Sequence, residues 1–87
     1  MKQDKNKTKV IFYINHTGVF AYFPEIDYDD SFKRNGETFK TCYEHIGQHS
    51  GIDPEYVEQD HIRYATPEEY QDLKEELESI GYNLEIH

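Results

Sequence analysis

A chain of 87 residues has room for one domain around one modest core. Its single Cys can form no internal disulfide, and its longest apolar run, around residues 10–14, is far too short to span a membrane. The net charge of −9 is uneven: residues 1–40 are near neutral, while residues 41–87 carry 2 basic and 12 acidic side chains, which disfavours direct binding to nucleic-acid phosphates.

With 8 Tyr and 5 Phe, the aromatic share of 15% argues for a packed domain despite a mean hydropathy of −0.97. No apolar segment follows the charged start MKQDKNKTK, so no signal peptide is expected. A lone Cys and no leader point to a soluble, cytoplasmic protein with no membrane association.

Residues 1–8 are polar and expected to be disordered; residues 9–87 are expected to form a single domain. Two β-branched and aromatic runs follow, Val10–Ile14 and Val19–Phe23, with Asn15-His16-Thr17-Gly18 between them. They predict a β-hairpin with a four-residue loop. Pairing Ile14 with Val19 places Val10, Phe12, Ile14, Val19, Ala21 and Phe23 on one face. The other face takes Ile11, Tyr13, Phe20 and Tyr22, so both faces need cover.

Pro24 is expected to end the second strand, because it cannot donate to a ladder. Residues 24–37 then read as an acidic loop with a turn signal at Asn35-Gly36. Thr38–Tyr43 suits a third strand, and Gly47 and Gly51 are expected to break the segment beyond it. Asp53-Pro54 predicts a capped short helix to about Asp60, followed by a brief extended piece over 61–65.

Thr66-Pro67-Glu68-Glu69 is a stronger helix start, with Glu69 placed to close a capping box. The helix should run to Ile80, with Gly81 past its end and an apolar stripe of Tyr70, Leu73, Leu77 and Ile80. Its carboxylates, Glu76 among them, read as a solvated face. Tyr82, Leu84 and Ile86 alternate as a last strand. The expected fold is α+β: an antiparallel sheet of three to five strands, in the order β-β-β-α-β-α-β, with the long helix packed on one face.

The chemically richest stretch is TCYEHIGQHS at 41–50. Cys42, His45 and His49 are suitable metal ligands, but a structural site needs four, usually in two close pairs. On a strand, positions 42 and 45 face opposite ways. A Cys–His nucleophile is disfavoured because an acidic surrounding raises a thiol pKa. Cys42 is therefore read as buried and structural, and Tyr43, His45, Gln48 and His49 as a polar loop cluster. No glycine-rich phosphate loop is present, and neither catalytic residues nor a cofactor are expected.

The motifs FAYFPE at 20–25, CYEHIGQHS at 42–50 and ATPEEYQDLKEELESIGYNLEI at 65–86 resemble a family of small uncharacterised bacterial proteins. The likeness covers most of residues 10–86. It implies a compact bacterial domain of the kind found partly on mobile elements, and it carries no activity.

Two functions follow as expectations. The first is a non-enzymatic protein-interaction or regulatory module, in one version an inhibitor of a nucleic-acid-handling protein. Its surfaces are Tyr43, His45, Gln48 and His49, or the sheet face with Tyr13, Phe20 and Tyr22. A protein partner or self-association through that face is expected. The alternative is a metal-binding or metal-dependent protein using Cys42, His45 and His49.

Overall fold

The computed structural model describes residues 7–28, 33–34, 37–44 and 47–87. Strands β1 (Thr8–Asn15) and β2 (Gly18–Asp27) form the hairpin, with Ile14 opposite Val19 as the side-chain pattern requires. The connection is shorter than expected: Asn15 pairs with Gly18, so only two residues turn. Asn15 sets this turn by accepting bonds at Oδ1 from the Thr17 and Gly18 backbone amides, at 2.8 and 3.1 Å. Gly18 follows with φ 132, a conformation other residues rarely adopt.

Pro24 does not end β2. The strand continues to Asp27 across a register shift between Phe23 and Asp27. Inside that irregularity the missing proline N–H leaves no ladder bond unmade. The acidic segment beyond holds two short paired strands, β3 (Lys33–Arg34) and β4 (Glu37–Thr38). The Asn35-Gly36 turn lies outside the described residues.

Strand β5 (Lys40–Glu44) pairs with β2, and β6 (Gln48–Ile52) pairs with β5. Gly47 and Gly51 are expected to break the segment after Tyr43, yet Gln48–Ile52 forms a strand straight through Gly51. A Cβ on Gly51 would lie 2.7 Å from Tyr28 Cδ2 and 3.3 Å from Phe39 Cδ2. This glycine therefore marks close side-chain packing over the strand, not a break. Gly47, at φ 88, does take the turn role expected of it.

The Asp53-Pro54 start yields only a 3-10 turn over Tyr56–Glu58, whose N-cap residue is Glu55 and which has no side-chain cap. Asp53 instead accepts at Oδ1 from the Glu55 amide at 3.0 Å, just before the turn. Tyr56, Val57 and Ile62 all pack onto one sheet face. Two-residue β7 (Arg63–Tyr64) and the last strand β8 (Leu84–Ile86) then share the free edge of β1. β7 is antiparallel at Tyr13 and Ile14, and β8 is parallel at Thr8–Val10.

The result is an α+β fold: a sheet of six strands, one more than the upper expectation, with one helix against it. All its pairings are antiparallel except β8 on β1. Helix α1 (Pro67–Ser79) begins with the complete capping box of Thr66 and Glu69. It ends in a Schellman arrangement: Gly81 N donates to Glu78 O at 3.1 Å, and Tyr82 N to Leu77 O at 3.1 Å.

Two apolar layers flank the sheet. Under α1, Leu73 and Leu77 meet Val10, Phe12, Ala21, Phe23 and Tyr43, and Tyr70 stacks on Phe12 at 4.3 Å between ring centroids. Burying each leucine contributes about 1.5–3 kcal/mol. Ile80, expected in this stripe, is 54% exposed instead, because the helix ends there and Gly81 redirects the chain. The opposite layer holds Phe20, Tyr22, Cys42 and Ile62, with Ile11, Tyr13, Ile52, Tyr56 and Val57 around them. The chain itself covers this second face, so an uncovered sheet face is not available as a reason for a second copy. No helix among the described residues is long and apolar enough to cross a membrane.

Candidate functional site

Strand pairing divides the TCYEHIGQHS stretch between the two faces of the sheet. Cys42 stands opposite Ser50, and Tyr43 opposite His49. Directly opposed residues share a face and neighbours along a strand alternate. Cys42 and Ser50 therefore look away from α1, while Tyr43 and His49 lie on its side. One metal ion cannot take both Cys42 and His49. His45 lies outside the described residues, and among those described no group of ligating side chains could hold a metal.

Cys42 is 4% exposed, with Sγ 3.2 Å from Ser50 Oγ. Burial pushes its thiol pKa up; the Ser50 hydrogen bond opposes this and the Glu44 charge adds to it. Of the two grounds for an unreactive thiol, an acidic setting and burial, burial is the larger cause.

On the other face Tyr43 is buried, and its hydroxyl donates to Glu76 Oε2 at 2.5 Å. That bond, with burial next, pushes the hydroxyl pKa up to about 12. The His49 ring meets Tyr43 edge-on at 4.7 Å, and its Nε2 shares a 2.7 Å hydrogen bond with Tyr82 Oη. Tyr82 stacks on Phe23 at 5.1 Å. Tyr43, Glu76, His49 and Tyr82 thus link β5, β6 and both ends of the α1–β8 connection. Gln48 is exposed at the end of β6, opposite Glu44, and takes no part in this network.

Of the sheet-face residues, Phe20 and Tyr22 are buried under the 53–62 segment. Tyr13 is half-buried and stacks on Tyr64 at 5.3 Å; Tyr64 itself is 68% exposed. Burial raises the pKa of Tyr13 and Tyr22, and the charge of Glu58 adds to both.

The outer face of α1 is acidic. Glu68, Asp72 and Glu75 are exposed at i, i+4 and i+7, and among the described residues no basic side chain pairs with them. Glu75 accepts only a neutral bond from Gln71. The helix C-terminus has no basic residue in its last turn, so its carboxylates also oppose the helix dipole. Glu69 differs, because Arg63 grips it through two bonds of 3.1 and 2.9 Å. That grip, helped by the Thr66 amide, holds its carboxyl down at about 2.

Three contributors escaped the sequence reading. Ser50 could have been found only from the β5–β6 register. Glu76 carried a signal, since it lies beside the Leu73–Leu77 stripe, yet it was grouped with the solvated face. Tyr82 read only as a strand residue.

The fold and site define an α+β protein with one helix on a mixed sheet, the outer face of that helix being acidic. Comparison of the chain with known protein families, with curated proteins and with solved structures finds no match. The motif resemblance to a bacterial family accordingly carries no residue role to this chain.

Proposed function

We propose that this protein is a non-enzymatic interaction module that presents the outer face of α1 to a basic protein partner. The observation that carries this reading is the column Glu68, Asp72 and Glu75, which stands unpaired by any basic side chain among the described residues. Like charges at i, i+4 cost a helix about 0.2–0.5 kcal/mol per pair. The helix N-terminus favours Glu68 in its first turn, but Asp72 and Glu75 lie beyond that turn, and a cationic surface docked on the column would offset the repulsion. A solvated acidic face that keeps small proteins apart has the same composition, and the experiment below separates the two.

The narrower form of this reading is an inhibitor of a nucleic-acid-handling protein, whose phosphate-binding surface is basic by necessity. Self-association has less support, because Tyr56, Val57 and Ile62 already cover the second sheet face. A metal-dependent protein built on Cys42 and His49 has none, because the two side chains lie on opposite faces. Affinity capture from a bacterial lysate tests the module. A basic protein should be retained at low salt and released as rising salt shortens the screening length. If no basic protein is retained, the reading fails.

A further inference from the structure

The side of the sheet away from α1 carries a shallow cleft of about 270 Å³, near the lower limit for small-ligand pockets. Phe20 and Cys42 form part of its floor, with Glu44, Ser50, Asp53 and Tyr56 around it. Among the described residues its charged groups have one sign: Glu44 and Asp53 line it, and no Lys, Arg or His does. Neither carboxylate pairs with a basic side chain among the described residues. Their negative field reaches the neighbouring groups, since Asp53 helps raise the Tyr22 hydroxyl and Glu44 the Cys42 thiol.

The rest of the wall is aromatic. The Phe20 and Tyr56 rings lie 6.3 Å apart at 48°, and Asn15 Nδ2 donates to Tyr56 Oη at 3.1 Å, holding that ring in place. A cleft lined by carboxylates and aromatic side chains suits a molecule that is cationic at one end and apolar along its length. An anion would meet two uncompensated carboxylates. A bare metal ion lacks ligands, because no group able to hold one exists among the described residues.

We propose that this cleft binds a primary alkylammonium group, with the ammonium at Glu44, which stands opposite Phe20, and the alkyl chain along Tyr56. A free amine and a peptide-borne lysine share this chemistry. The cleft and the acidic column of α1 lie on opposite sides of the sheet, so either proposal can fail without the other.

The test is a titration of the 15N-labelled protein with n-butylammonium, with N-acetyl-lysine methylamide and with 1-butanol, read at the Ser50, Gly51 and Ile52 amides. Both ammonium probes should give saturable shifts there, with 1-butanol at least about fivefold weaker. Glu44→Gln changes an exposed side chain and should weaken both ammonium probes by about two- to fivefold, with the fold intact. Tighter binding of the lysine derivative assigns a peptide-borne lysine, and equal or tighter binding of n-butylammonium a free amine. The proposal is overturned if these amides do not shift, or if 1-butanol matches the ammonium probes and Glu44→Gln changes nothing.

Discussion

The Tyr43 hydroxyl, buried in β5, donates to Glu76 Oε2 on α1 across 2.5 Å. It is a polar tie between sheet and helix beside the apolar contacts of Leu73 and Leu77. Tyr43→Phe removes the donor and should destabilise the protein by about 1–3 kcal/mol, measured by urea unfolding. The same bond gives an alkaline signature. Tyr43 loses its proton near the ordinary 10.0 when unfolded and near about 12 when folded. Between these values the unfolded chain holds fewer protons, so stability falls as pH rises. The contribution is whole below pH 10.0 and gone once pH has passed about 12. Tyr13, Tyr22 and Tyr82 are also raised, with the same sign. The Phe variant should therefore show a shallower alkaline decline, not a flat one.

Gly51 leaves the space that Tyr28 occupies. Gly51→Ala would put a Cβ 2.7 Å from Tyr28 Cδ2, at the root of the ring where a small rotation gives little relief. Overpacking of this kind costs about 1–3 kcal/mol. In a Tyr28→Ala background most of that cost should vanish, leaving a residue from the 3.3 Å approach to Phe39. Additive penalties in the double-mutant cycle would contradict the close packing.

The Cys42 thiol should behave as a buried group. At pH near 8, iodoacetamide should modify it at least about tenfold more slowly in the folded protein than in urea. Ser50→Ala removes the hydrogen bond that lowers its pKa and should slow the folded reaction further. Equal folded and unfolded rates would place the thiol at the surface.

Glu69 should stay ionised in acid. Its carboxyl is held at about 2 against an ordinary 4.5, chiefly by Arg63. This contribution is present above pH 4.5 and lost as pH falls through about 2. Carboxyl NMR titration should find its midpoint well below 4.5, and Arg63→Ala should move the midpoint back up. High salt should move it the same way, because the pair is exposed.

Local chemistry was legible in the sequence. The alternation of Val10–Ile14 and Val19–Phe23 gave the hairpin register, and Thr66, Glu69 and Gly81 gave both ends of α1. Long-range pairing was not. Whether Gly51 breaks a strand or admits Tyr28 depends on a residue 23 positions away. That Cys42 and His49 part company depends on a one-residue choice of β5–β6 register, which the turn at Gly47 sets and the residue types of 42–50 do not show. Cover for the second sheet face came from three apolar residues, Tyr56, Val57 and Ile62, in a segment whose capping motif looked helical.

The most direct test of the proposed function compares affinity capture by the wild-type chain with capture by a Glu68→Lys, Asp72→Lys, Glu75→Lys chain, under identical low salt. All three side chains are exposed, so circular dichroism should show the variant folded. The acidic column as a docking surface predicts a basic protein bound to the wild type and absent from the variant. A basic protein retained equally by both chains, or by neither, would contradict it.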